Sequence, residues 1–389
     1  MIRTLLATLL LLTTAAAATE VEHDIDVRFD PATRELDIVD RVAVPAGGEV
    51  RFRIAPWLAP VGAEAAGSAL SPQGDGTAWQ VALPAGAVVL TLRLRGTVPP
   101  LPAHGRRQAW SGAGAGAEGS AVTAWSGWLP DFGRERFRYR LSIEVPGDQR
   151  AVATGRLVDE TLSPAGHRVT FVGDQPGEPP SFFVGPYVVA ERREDGLRLR
   201  TWFHPELAPL ANAYLDSTSR HIARYAAAIG AYPYGDFHVV SAPLPVGLGF
   251  PALTYVGRRV LPLPFMQGRS LAHEVLHNWW GNAVGVAYDQ GNWAEGLTTY
   301  MADYALAEDR GAAAAREMRL RWLRDYAALP ADRDMPVNRF VSKRHQAAQV
   351  IGYNKTAFVF HMLRQEIGGA AFDDGVRRFW QRHRFAVAA

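Results

Sequence analysis

His273, Glu274 and His277 stand in the pattern H-E-x-x-H, within Leu271-Ala-His-Glu-Val-Leu-His-Asn-Trp-Trp-Gly-Asn282. On a helix, positions i and i+4 share a face. The two imidazoles can therefore point at one metal ion, with Glu274 beside them. Ser270 reads as the N-cap of that helix and Gly281 as its stop. Zinc takes imidazole and carboxylate ligands in a tetrahedral set, and a catalytic zinc keeps three protein ligands with water in the fourth place. A third ligand is expected, and Glu295 is the candidate. It follows His277 by 18 positions, in Trp293-Ala-Glu-Gly296. Asn292 reads as the cap of a second short helix there. Helix, loop of roughly ten residues, helix is a short connection that returns Glu295 to the histidine face. A zinc ion in such a set acidifies water and polarises a carbonyl oxygen. Glu274 projects off the line of the two histidines, where it suits a general base that later acts as an acid. Asp303, eight positions past Glu295, reads either as support for a ligand or as a capping or surface aspartate.

This stretch resembles the aminopeptidase N family of gluzincin zinc metallopeptidases. Their signature is H-E-x-x-H followed by a glutamate ligand in an Asn-Glu-Gly or similar context, and His277-Asn-Trp-Trp-Gly-Asn282 matches closely. The family usually has eighteen residues between the second histidine and the glutamate; this chain has 17. A short loop deletion accounts for that at little cost. The resemblance implies hydrolysis of peptide bonds on one zinc held by His273, His277 and Glu295, with Glu274 as base. It also implies a role for Tyr353, in Tyr353-Asn-Lys-Thr-Ala357: donating a hydrogen bond to the oxyanion of the tetrahedral intermediate. Such a donor contributes on the order of 3 kcal/mol in acyl transfer. On its residues alone, Tyr353 reads equally as an amphipathic tyrosine at a core edge. Thr356 stands where the family has glycine.

The resemblance breaks at residues 243–250. The family has Gly-x-Met-Glu-Asn before a Thr-Tyr strand, and its glutamate grips the substrate's α-amine. Counting back from Thr254-Tyr255 aligns that motif with residues 245–249 and the glutamate with Leu248. A leucine cannot hold an ammonium group. Gly247, Leu248 and Gly249 are the candidate substrate-binding residues, because glycines allow close backbone approach and an edge strand can pair with an extended peptide. The residues read equally well as a plain turn between strands. Without an acid from elsewhere, Glu118 being one position to consider, weak discrimination between free and N-acetylated peptides is expected, with some cleavage at internal bonds.

Composition sets the outer bounds. The chain has 389 residues, 48% hydrophobic, enough for a large core and more than one domain. The net charge of +2 argues against a nucleic-acid partner. With no cysteine there are no disulfides, thiolate metal sites or cysteine nucleophiles. Residues 1–18 read as a secretory signal: Arg3, an apolar run over 5–12, then small residues over 15–18. The run is too short for a confident membrane span, so an exported mature protein with no span is expected.

Residues 19–203 alternate polar and apolar in short runs broken by Asp30-Pro31, Gly74-Asp-Gly76 and Pro146-Gly147. This predicts an N-terminal antiparallel β domain. Residues 112–119 contain a formal G-x-G-x-x-G, but no strand leads into it and no helix follows, so a flexible loop is expected. From residue 204 helical patterns dominate. The fold class expected is α+β multidomain: a saddle-like β domain at 19–203, then a thermolysin-like, mainly helical catalytic domain at 204–389. The family continues into a further helical domain. Here the end in Ala-Val-Ala-Ala reads as cut rather than capped, which implies a fragment or an open cleft. The expected function is an exported zinc metallopeptidase acting on peptides or proteins. The alternatives are a zinc hydrolase of a non-peptide substrate on the same scaffold and a peptide-binding module without catalysis.

Overall fold

The computed structural model describes residues 19–44, 47–102, 110–133, 135–342 and 346–389. The expected signal segment at 1–18 lies outside the described residues.

The N-terminal half is β-rich. Alternation decides its faces: along Glu35–Ala43, residues Leu36, Ile38, Asp40 and Val42 turn inward. The inward carboxylate of Asp40 lies 3.0 Å from the buried His23 Nδ1, so the polar exception is paired. The main sheet has eight strands. At its centre Thr19–Asp30 pairs with Glu35–Ala43 on one side and Glu135–Pro146 on the other. The expected antiparallel pattern holds except there, where Thr19–Asp30 and Glu135–Pro146 run parallel. The glycine-rich stretch is not a free loop. Ala113–Gly114 pairs with Ser120–Val122 in a four-stranded sheet, and Gly116–Gly119 closes as a turn.

A second, five-stranded sheet carries the functional half. Its spatial order is Val188–Glu194, Leu197–Phe203, Asp236–Ala242, Leu253–Gly257, Gly247–Phe250. The sheet runs across the 203/204 division expected from the sequence, taking in both strands of residues 188–203. One face, with Trp202, Val240 and Tyr255, packs on the β-domain core. The other, with Leu199, Phe203, Phe237 and Val256, packs on the helices. Buried polar contacts fasten the two halves. Arg200 Nη2 meets Glu160 on the β domain at 2.7 Å and Glu191 at 2.5 Å, and Asp236 Oδ2 accepts the Leu157 N–H at 2.6 Å.

The helical domain follows, with Ala211–Ala228, Ala312–Ala327, Thr356–Ile367 and Gly369–His383 as its longer helices. Ala386–Ala388 adds in parallel to Val284–Val286, inside the loop between the two metal-site helices. The Ala388 carbonyl accepts from Ala287 N at 2.9 Å and Trp293 Nε1 at 3.0 Å. Among the described residues, no helix is long and apolar enough to cross a membrane.

Candidate metal centre

His273 and His277 project from one face of Leu271–Leu276 and the turn that continues it. Leu271, Ala272, Val275 and Leu276 bury the opposite face. Ser270 is not the cap expected. It is itself helical, because a π-helical turn, Met266–Ser270, runs straight into the helix. Asn292 caps as expected, its side chain accepting from Ala294 N at 3.2 Å, and Glu295 lies in the first turn of Trp293–Thr298.

The three expected ligands meet. The two Nε2 atoms are 3.2 Å apart, and Glu295 Oε2 lies 3.5 Å from His273 Nε2 and 3.4 Å from His277 Nε2. Ligands at tetrahedral corners about 2.1 Å from zinc sit about 3.4 Å from one another. The triangle is therefore the size of one face of such a tetrahedron. Each imidazole spends its Nδ1 proton outward: His273 donates to Asp303 Oδ2 at 2.7 Å, His277 to the Trp280 carbonyl at 3.0 Å. Both Nε2 atoms are left as lone pairs facing one point. Glu295 Oε2 is buried without a hydrogen-bond partner. A buried, unpaired carboxylate oxygen is costly unless a cation meets it.

Electrostatics agree. Burial opposes charge on His273, but the carboxylates of Asp303, Glu295 and Glu274 outweigh it and raise its pKa. Burial also opposes charge on His277, and Glu295 overrides it. Burial would raise the Glu295 pKa, yet the two imidazoles depress it. A pocket that draws protons onto buried imidazoles favours a positive charge at their centre. Donor set, outer partners and unsatisfied oxygen all fit a zinc ion.

Asp303 is an outer partner: it is buried and accepts from Arg269 Nε at 2.6 Å as well as from His273. Arg269 had no signal in the sequence. Glu274 is half-buried and faces the strand Gly247–Phe250. A Cβ built on Gly249 would lie 2.8 Å from Glu274 Oε2. Tyr353 sits above the site, its ring stacked on His273 with centroids 6.1 Å apart and 15° between planes. Burial raises the Tyr353 pKa, and the nearby negative charge of Glu295 raises it further, so the phenol keeps its proton. Gly296 brings this tyrosine in: any side chain there would overlap Thr356, so the Glu295 helix can lie close against Thr356–Ile367. π-helical turns precede His273, contain Asp303 at Thr299–Tyr304 and contain Tyr353 at Val350–Lys355. Such turns gather at functional sites because they re-aim side chains within a helix.

The substrate-strand assignment needs one correction. Gly247–Phe250 is an edge strand, paired among the described residues only with Leu253–Gly257. Leu248 does not face the metal centre; it packs against the β-domain core, on the same side as Phe250. Gly249 is the residue turned towards Glu274. Neither offers an acid. Glu118 does not fill the gap either, since its exposed carboxylate pairs with Arg258 at 2.8 Å.

Comparison with known proteins follows the same lines. Residues 268–389 match the model of the peptidase family M1 domain. Over 205 residues the chain is 29% identical to aminopeptidase RNPEPL1 of Mus musculus and 28% identical to that of Homo sapiens. Each match takes in 49% of this chain and 28% of the relative, so the chain matches under a third of those proteins' length. Among solved structures, the M1 zinc metallopeptidase of Deinococcus radiodurans superposes with a TM-score of 0.73 at 18% identity, covering 96% of this chain and 88% of that one. Native yeast LTA4 hydrolase gives 0.69 at 14% identity, covering 95% and 62%. These two are likenesses of fold, a β-rich domain followed by a mainly helical one. The last third of the chain thus matches the peptidase family M1 domain, and its two-domain architecture is similar to that of an M1 zinc metallopeptidase.

Proposed function

We propose that this chain is a zinc-dependent metallopeptidase that hydrolyses peptide bonds. The observation that carries the reading is the His273–His277–Glu295 triangle, with edges of 3.2–3.5 Å, beside a half-buried glutamate and a strand that is open along one edge among the described residues. When bound there, zinc supplies a Lewis acid and a water of lowered pKa. The remaining roles belong to the chain. Gly247 and Gly249 leave the edge strand's backbone open to an extended peptide. Glu274 takes a proton from the attacking water and passes it to the leaving amine. Tyr353 keeps its proton and donates a hydrogen bond to the oxygen that gains charge as the carbonyl carbon becomes tetrahedral. Asp303 holds the His273 ring, and the Trp280 carbonyl holds that of His277. A mutant of the Deinococcus radiodurans protein, similar in fold, is described bound to a Tyr-ser-ala substrate, which supports a peptide as the ligand class.

Residues 1–18 add an exported setting to the proposal; the mature N-terminus of protein recovered outside the cytoplasm tests it. The catalytic reading is tested with a peptide mixture analysed by mass spectrometry. Zinc-loaded protein should cleave, the chelated protein should not, and Glu274→Gln should keep its zinc while losing nearly all hydrolysis. Equal cleavage by Glu274→Gln contradicts the reading.

A further inference from the structure

Arg269 lies in the π-helical turn Met266–Ser270, one turn before His273. That turn is fastened on two sides. Met266 is buried in the core of the helical domain. The buried His221, on the helix Ala211–Ala228, donates from Nε2 to the Gln267 carbonyl at 3.0 Å. Asp303 is brought opposite by a second such turn. It follows Glu295 by eight positions. On a regular helix eight residues overshoot two turns by about 80°. The π-helical turn Thr299–Tyr304 winds more slowly, and Asp303 ends on the side that meets His273.

The Asp303 carboxylate has one partner on each oxygen. Oδ2 accepts from His273 Nδ1 at 2.7 Å, and Oδ1 accepts from Arg269 Nε at 2.6 Å. The Asp303 side chain is 8% exposed and that of Arg269 is 56% exposed. The last torsion of an aspartate is broad, so a carboxylate bound at one oxygen alone turns readily about it. A charge-assisted bond at the other oxygen fixes the plane of the group.

We infer that Arg269 is a positioning residue of the metal centre: its Nε–H fixes the Asp303 carboxylate, and Asp303 in turn fixes the His273 ring. The inference rests on the zinc reading above. The charge of Arg269 works the other way, since it repels a dication. Its guanidinium stands largely in water, which screens that repulsion. The hydrogen bond ends on a buried carboxylate and is screened far less. The bond therefore outweighs the charge, and removing Arg269 weakens the hold on zinc.

The test is the zinc affinity of the full-length protein, read by competition with a chromogenic chelator. Loss of an outer partner costs a site roughly 10–100-fold, and Arg269 stands one bond farther out, so Arg269→Ala should lose about five- to tenfold. Arg269→Gln separates the bond from the charge. Glutamine carries Nε2 as many bonds from Cα as arginine carries Nε, so it offers a donor at the same place without the charge. Arg269→Gln should bind zinc within about twofold of the wild type. In the Asp303→Asn background, Arg269→Ala should change affinity by less than about twofold, because members of one chain of bonds are not additive. Three results overturn the inference while leaving the metal centre in place: affinity in Arg269→Ala equal to or above the wild type's, Arg269→Gln as weak as Arg269→Ala, or additive losses in the double variant. A wild type that binds no zinc removes the metal centre, and the inference with it.

Discussion

Gly249→Ala separates what the fold needs from what the chemistry needs. The backbone at Gly249 is outside the left-handed region, so alanine is compatible with it. The added methyl would lie 2.8 Å from Glu274 Oε2, against about 3.4 Å for an ordinary contact. About 0.6 Å must be found, and the end of a flexible glutamate moves more easily than the strand. Stability should change by less than about 1 kcal/mol. The carboxylate, however, is displaced from the position in which it takes a proton. A 1 Å misplacement costs about a hundredfold in rate, so roughly half that displacement predicts about a tenfold fall in kcat, or about 1.4 kcal/mol. The assay is steady-state cleavage of an internally quenched peptide, with zinc content and thermal melting measured alongside. Gly247→Ala is the comparison: a Cβ there meets nothing within 4 Å, so Glu274 stays in place and any loss should fall on KM rather than kcat. Wild-type turnover in Gly249→Ala, or an equal loss in Gly247→Ala, would refute the placement of Glu274 against this strand.

Asp303→Asn should weaken zinc binding roughly 10–100-fold, read by competition with a chromogenic chelator, since it removes the charge that orients His273. Tyr353→Phe should lower kcat about a hundredfold with little change in KM, as for a group engaged only in the transition state. Glu160, at the junction of the two halves, titrates at about 2: burial would raise it, but hydrogen bonds from His167 and Arg200 prevail. A depressed carboxylate contributes stability that is present above its ordinary pKa and lost as pH falls through its folded one. Glu160→Gln should therefore cost about 1–2 kcal/mol at neutral pH after solvent screening, and its melting temperature should converge with the wild type's between about pH 4 and pH 2.

The candidate ligands were legible because helical spacing alone puts His273 and His277 on one face, and a capped second helix returns Glu295 to it. One missing loop residue did not matter, since loop length between two fixed helices is cheap to change. The substrate strand was legible as a strand but not in its facing. Counting back from Thr254 aligned Leu248 with the family's acid, and a slip of one residue turns every side chain to the opposite face. The signal that would have corrected it was present: Leu248 and Phe250, two apart and both apolar, mark the buried side and leave Gly247 and Gly249 on the open one. The 203/204 division looked natural because helical patterns begin there, yet strands of either half share the same alternation. Ala386–Ala388 and Val284–Val286 pair over three residues each, runs too short to show an alternation in the sequence.

Metal content tests the central claim most directly. Protein stripped with a chelator, reloaded and desalted should carry one zinc per chain by elemental analysis. Glu295→Gln should lose it under the same treatment, with affinity reduced beyond the roughly 10–100-fold that loss of an outer partner costs. A wild-type protein that retains no zinc, or a Glu295→Gln variant that retains a full equivalent, would contradict the account.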